Sequence, residues 1–202
     1  MDPNLVINRI LRLARLDTSV FDEVRDDVNE LIPAIVVAAV SALLAGLGAM
    51  LFYQVNDVFS SEAPDGLFLR TFIMGGIFLA LLYGVWILIS YVFLVQVYKA
   101  SADLQALVRT MGYAAIPLAL SVLMFVPVLG PIFAIVPIGL LFVLSIYATQ
   151  SVTNADSTQV VISNLVGFAV MTLVLGIIAT SGDSPYPDGP IGAGIFAWIL
   201  PT

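Results

Sequence analysis

Apolar residues in this chain fall into five long runs, at 31–53, 71–97, 113–129, 131–147 and 160–180, and no Asp, Glu, Lys or Arg interrupts any of them. A bilayer's hydrocarbon core is about 30 Å thick, so a spanning helix needs about 20 apolar residues. Three runs exceed that length. The runs 113–129 and 131–147 would rise only about 26 Å each as α-helix. They form a hairpin through Pro127, Gly130 and Pro131, which either crosses fully or is re-entrant. The pattern predicts an all-α fold, a polytopic transmembrane bundle of five spans.

Polar positions fill the gaps between the runs. Residues 3–16 read as a short amphipathic helix, with Asn8, Arg9, Arg12 and Arg15 on one face and Val6, Ile7, Ile10, Leu11 and Leu13 on the other. A basic and aliphatic helix of this kind lies in the membrane interface. Its arginines Arg9, Arg12 and Arg15 are expected to meet lipid headgroups, at about 1 kcal/mol per charge; the alternative is that this face caps the bundle. Ser19 to Asp22 reads as a capping box opening a second helix, with Val20, Val24 and Val28 on one edge and Asp22, Glu23, Asp26, Asp27 and Glu30 on the other. The acidic edge reads as solvated surface. Three segments are expected: interfacial or cytoplasmic helices at 1–30, the membrane domain at 31–180, and an external Pro/Gly-rich tail at 181–202. The tail's apolar stretch 191–200, with Phe196 and Trp198, is too short to span.

Within the first span, Ala34, Ala38, Ala42 and Gly46 recur every four residues, beside a row of Ser41, Ala45 and Ala49. Small residues at this spacing let helix backbones approach closely where no hydrophobic effect operates between helices. Packing within the bundle is the expected use; contact with another subunit is the alternative. Tyr83 and Trp86 sit near the middle of the second span, where the phenol and indole each need a hydrogen-bond partner. The stretch 101–111 reads as a short amphipathic segment ended by Gly112 in the C′ position. Pro117 and Pro137 should bend their helices, because proline removes a backbone hydrogen bond. Asp156 to Gln159 reads as the cap of the last span.

Composition then narrows the chemistry. The 202 residues are 60% hydrophobic and 10% charged, with a net charge of −7, which offers nucleic acid no basic face. No cysteine is present, so there is no thiolate metal site. No histidine is present either, which removes serine–histidine catalysis and the usual haem ligand. An aspartyl pair inside the membrane is likewise missing. No cofactor or metal is expected. Among seven basic residues, Arg9, Arg12, Arg15, Arg25, Lys99 and Arg109 fall on one side of a five-span model and Arg70 alone on the other. Lys and Arg near span ends set orientation, so the N-terminus is expected in the cytoplasm and the C-terminus outside.

The charged stretch ILRLARLDTSVFDEVRDD leading into the first span, and DLQALVRTMGYAAIPLAL with a Gly-Tyr-x-x-x-Pro element at Gly112, Tyr113 and Pro117, resemble the Yip1 domain family along nearly the whole chain. The resemblance implies five spans and a cytoplasmic N-terminus. Eukaryotic members of that family act in vesicle traffic and contact Rab-type GTPases. They carry a long polar N-terminal region and an Asp-Leu-Tyr-Gly-Pro element, both missing here, so that role is not carried over. The compact form is similar to prokaryotic members, implying a prokaryotic plasma membrane. The expected function is non-enzymatic: a scaffold, a membrane-organising protein or an accessory subunit. Its expected partners are membrane lipids and other integral membrane proteins. The competing reading is a small transporter or channel without an intramembrane charge relay.

Overall fold

The structure, a computed structural model, describes residues 3–55 and 66–180. The carboxylates Asp57, Glu62 and Asp65, between the first two apolar runs, and the segment with Phe196 and Trp198 lie outside the described residues. Among the described residues five helices are long and apolar enough to cross a membrane: Val28–Val55, Phe68–Val97, Leu104–Phe125, Gly130–Gln150 and Ser157–Ile178. The chain is a multi-pass, all-α membrane bundle, and the described residues contain no strand.

Two short helices, α1 (Pro3–Ala14) and α2 (Val20–Asp26), precede the first span. A single turn, Val28–Glu30, leads into α3 (Leu31–Val55). The second span comprises a π-helical start at Phe68–Met74, α4 (Gly75–Val92) and a π-helical end at Phe93–Val97. The third comprises α5 (Leu104–Ala114) and a 3-10 helix, Ile116–Phe125. The last two are α6 (Gly130–Gln150) and α7 (Ser157–Thr180). Five crossings put the N-terminal helices, the loop after the second span and the loop between α6 and α7 at one end. Those two loops join there: the Ser101 N–H donates to Asn154 Oδ1 at 2.8 Å, and Thr153 Oγ1 donates to the Ser101 carbonyl at 2.9 Å.

The third span departs from the sequence pattern. Helix begins at Leu104, not at Tyr113, and runs through Gly112, so Gly112 is not a C′ residue. Its role is close approach: a Cβ there would lie 2.7 Å from the Ala34 carbonyl oxygen of α3. The hydrophobic run starts late because the first turns of α5 pack under polar elements at the bundle's end. Beyond it, Pro117 has no N–H to give, and the chain tightens to i→i+3 bonding, as in Leu118 N–H to the Ala115 carbonyl at 3.0 Å. A 3-10 helix rises about 2.0 Å per residue against 1.5 Å for α, so this span reaches about 37 Å. Most of the added length comes from Leu104 to Gly112 and the rest from the 3-10 rise, so a span that looked too short is long enough to cross.

Other local expectations divide. Asp156 and Gln159 cap α7 reciprocally: Gln159 N–H donates to Asp156 Oδ1 at 3.0 Å, and Asp156 N–H to Gln159 Oε1 at 3.3 Å. Ser19 makes no side-chain cap on α2. Its hydroxyl donates instead to Asp17 Oδ1 at 2.6 Å and accepts from Arg12 Nη2 at 2.9 Å. A carboxylate and a guanidinium are stronger partners than a backbone amide, so they take the hydroxyl. Pro137 lies inside α6, which continues through it.

Candidate functional site

The buried charged side chains among the described residues, Arg9, Glu30 and Arg109, lie at the N-terminal end of the bundle. Glu30 stands one residue ahead of α3, on the threshold of the apolar run. One carboxylate oxygen, Oε1, pairs with Arg9 Nη1 at 2.5 Å. The other, Oε2, accepts a hydrogen bond from the Tyr113 hydroxyl at 2.5 Å. A single carboxylate thus joins α1 to the third span. The Arg9 and Glu30 side chains are only 6% and 7% exposed. Asp27 Oδ2 at 3.6 Å and Glu23 Oε2 at 3.8 Å complete the ring of anions around Arg9. Burial, the largest single influence, would lower the Arg9 pKa; the Glu30 charge and the hydrogen bonding to Tyr113 and Glu30 together outweigh it, and the net direction is upward.

Further bonds fasten α2. Arg109, buried on α5, donates from Nε to the Val24 carbonyl at 3.1 Å and from Nη2 to the Arg25 carbonyl at 2.5 Å. These are among the last carbonyls of α2, where a cation complements the helix dipole. Arg25 Nη1 in turn donates to the Ser151 carbonyl at the end of α6, at 2.7 Å. Val6, Leu13, Val20, Phe21 and Val24 are buried beneath this polar layer and belong to the main core. The N-terminal helices are therefore a cap on the bundle, held by α3, α5 and α6.

This geometry corrects the expectation for Arg9, which faces the bundle and not lipid headgroups. The buried stripe of α1 is Val6, Arg9 and Leu13, because the Glu30 carboxylate draws the guanidinium inward. Arg12 is engaged by Asp17 at 2.8 Å and Glu23 at 2.7 Å. Arg15 is exposed, as are Ile7 and Leu11.

The small-residue row of α3 changes partner along its length. Ala34 lies under Gly112 of α5, and Ala42 lies near Gly76 of α4. A Cβ on Gly46 would come within 2.7 Å of the Phe72 carbonyl oxygen and 3.0 Å of the Gly76 nitrogen. Ala38, between them, is half-buried. The Gly-Tyr-x-x-x-Pro element now has a physical content. Gly112 permits contact with α3, Tyr113 bonds Glu30, and Pro117 lies in the first turn of the 3-10 helix.

Deeper polar side chains also join helices. The Tyr83 hydroxyl donates to the Met111 carbonyl at 2.7 Å, with Ser145 Oγ 3.4 Å away. Asn164 Nδ2 donates to Thr149 Oγ1 at 3.0 Å, linking α7 to α6. Ser90 Oγ donates to the Ser163 carbonyl at 3.3 Å, linking α4 to α7. The Trp86 indole N–H has no hydrogen-bond partner among the described residues; its ring packs against Tyr83, Phe142 and Phe168, and Gly167 makes room for it.

Sequence reasoning missed Glu30, Arg109 and Gly48. Glu30 was grouped with a solvated acidic edge, although it is the last charge before an apolar run, which is the available signal. Arg109 lies in the amphipathic stretch 101–111, and the sequence shows it only as one of the basic residues on that side. Gly48 lies beside the row Ser41, Ala45 and Ala49; a Cβ there would sit 2.1 Å from the Ser121 carbonyl oxygen of the 3-10 helix. Nothing in its immediate neighbours distinguishes it. Among the described residues no group of His, Cys, Asp or Glu is arranged to hold a metal ion.

A model of the Yip1 domain matches residues 17–180 of the chain. No curated protein matches, and no solved structure matches.

Proposed function

The chain belongs to the Yip1 domain family, and on that premise we propose that it is a membrane scaffold or accessory subunit that presents a rigid helical cap at the membrane surface. The observation that carries this reading is the Arg9–Glu30–Tyr113 linkage. Its polar groups are directed at one another across elements, fixing α1 and α2 to the third span. Several serine, threonine and asparagine side chains within the spans likewise bond neighbouring helices or their own backbone, as Thr172 Oγ1 does to the Phe168 carbonyl at 3.0 Å. Such an arrangement favours a fixed contact surface over chemistry.

In this reading the cap faces the cytoplasm, because six of seven basic residues belong to its end of the bundle. α1 rests at headgroup level, with Ile7 and Leu11 toward the acyl boundary and Arg15 toward lipid phosphate. Orientation is tested with single cysteines. Ser101→Cys should react with an impermeant maleimide from the cytoplasmic side, and Val128→Cys, at a turn residue 91% exposed, from the opposite side. Labelling of both from one side would mean a re-entrant hairpin.

The function itself is tested by cross-linking in native membranes, followed by mass determination. The chain should appear in a discrete assembly well above its own 21.6 kDa. Glu30→Leu, which loosens the cap, should release it from that assembly while leaving it inserted. A chain that runs alone, and that conducts ions or couples flux to protons when reconstituted, would establish the transporter reading instead.

A further inference from the structure

α3 and α4 touch backbone to backbone at Gly46 and Gly76, where added Cβ atoms would fall 2.7–3.0 Å from the facing chain. Toward the N-terminal end they part. α5 stands behind the gap, pressed against α3 where Gly112 meets Ala34. The result is a fissure of about 250 Å³ lined by Ala38 and Ala39 of α3, Ala80 and Gly84 of α4, and Val108 of α5. Small side chains make it, and its lining surface is almost entirely apolar. Tyr83, also at its wall, has its hydroxyl committed to the Met111 carbonyl.

We infer that a single acyl chain, from a phospholipid of the leaflet at the N-terminal end, seats in this fissure. Depth is the first argument. Residues 35–39 lie about 6–12 Å beyond the start of α3, within the roughly 15 Å of hydrocarbon belonging to one leaflet. The mouth therefore opens onto acyl chains and not onto water or headgroups. Size is the second argument. The fissure is bounded by α3, α4 and α5, and its volume of about 250 Å³ suits a flexible chain one methylene wide. Wall chemistry is the third argument. An apolar gap left empty forfeits dispersion contacts on both walls, and a chain of methylenes restores them. With no unpaired polar group in the lining, the site selects an acyl chain without selecting its headgroup.

Gly84 supplies the test, because a Cβ there meets nothing within 4 Å. Gly84→Leu should fill the fissure without moving the backbone. Gly139→Leu on α6 is the matched control, since its Cβ is equally open and lies outside the fissure. Ala39→Leu fills it from the opposite wall, and is used should Gly84→Leu fail to fold. The protein is reconstituted in vesicles carrying a phospholipid with a diazirine on its acyl chain, and adducts are mapped by mass spectrometry. Adducts should concentrate on residues 35–39 and 80–88 in the unmodified chain and in Gly139→Leu. They should fall to the level of the remaining lipid-facing surface in Gly84→Leu or Ala39→Leu, equally with phosphatidylcholine and phosphatidylglycerol. Undiminished labelling in a filled variant, dependence on the headgroup, or a cross-link between two copies through these residues would overturn the inference. None of these outcomes bears on whether the chain is a scaffold.

Discussion

Glu30 and Gly48 belong to the same spanning segment, yet each meets the third span in an opposite way. Glu30 offers a carboxylate to the Tyr113 hydroxyl, with Arg9 on its second oxygen. Gly48 offers the absence of a side chain, so that the Ser121 backbone can lie directly on α3. The end of the bundle is joined by directed polar bonds and its interior by close backbone approach. The contrast follows from the solvent each region faces. Near the interface, charges are tolerated when paired. In the hydrocarbon, helix association relies on packing and on a few hydrogen bonds. The two kinds of contact should therefore fail differently. A steric contact has no conservative replacement, whereas a polar one has a graded series of them.

The largest effect is expected at Gly48. Gly48→Ala places a methyl group against a backbone carbonyl that cannot swing away, and overpacking of this kind costs about 3 kcal/mol or more. Thermal unfolding in mild detergent should show the loss, and Gly139→Ala, with an open Cβ position, should show none. Equal midpoints for Gly48→Ala and the unmodified chain would remove the steric half of the contrast.

Glu30→Leu comes next. It leaves Arg9 buried with only the more distant Asp27 and Glu23, at 3.6 and 3.8 Å. Breaking one side of a buried pair costs about 3–5 kcal/mol, and the remaining carboxylates place this case at or below the lower end. Loss of stability should be accompanied by faster amide exchange in α1. A drop in stability with unchanged exchange there would mean that Glu30 does not hold the cap.

Tyr113→Phe should be milder. It removes one hydrogen bond to a charged acceptor, worth about 1.5–3 kcal/mol, and keeps the ring in its packing. Because both act on one carboxylate, Tyr113→Phe should have little further effect once Glu30 is replaced. Full additivity in the same unfolding measurement would separate the two contacts.

The smallest effect concerns the surface of the cap. Hydrogen bonds from Ser19, then Arg12, hold the Asp17 carboxyl below its ordinary value of 3.8, and Arg25 does the same for Asp26. A folded-state pKa below the unfolded one means the folded form binds fewer protons there. The associated stability is present above pH 3.8 and declines as pH falls from there through the depressed values. Asp17→Asn should therefore differ slightly from the unmodified chain at neutral pH and converge with it in acid. Divergence in acid would reverse the sign. Both groups are exposed, so the difference should be near the detection limit.

The comparison also explains what the sequence made legible. Unbroken apolar runs are a strong signal, so the five spans, the fold class and the cap of α7 at Asp156 could be read directly. The start of the third span could not, because Leu104 to Gly112 has the polar periodicity of an interfacial helix and owes its place to the cap above it. The small-residue row around Ala34 and Gly46 was visible through its spacing. Gly48 was not, since its importance depends on a 3-10 helix passing over it. Arg9 was misjudged for a related reason. Helical periodicity places it on a basic face, and only tertiary structure brings Glu30 close enough to turn that face inward.

The central claim is that Arg9 and Glu30 act as one unit fixing the N-terminal cap to the bundle. It is tested most directly by a double-mutant cycle of Arg9→Met, Glu30→Leu and the pair, read by thermal unfolding in mild detergent. Each single variant strands a buried charge, whereas the double variant replaces the pair by apolar side chains, which is often neutral. The expected result is a double variant more stable than either single one, with a coupling of about 2 kcal/mol or more. Additive losses, with the double variant the least stable of the three, would contradict it.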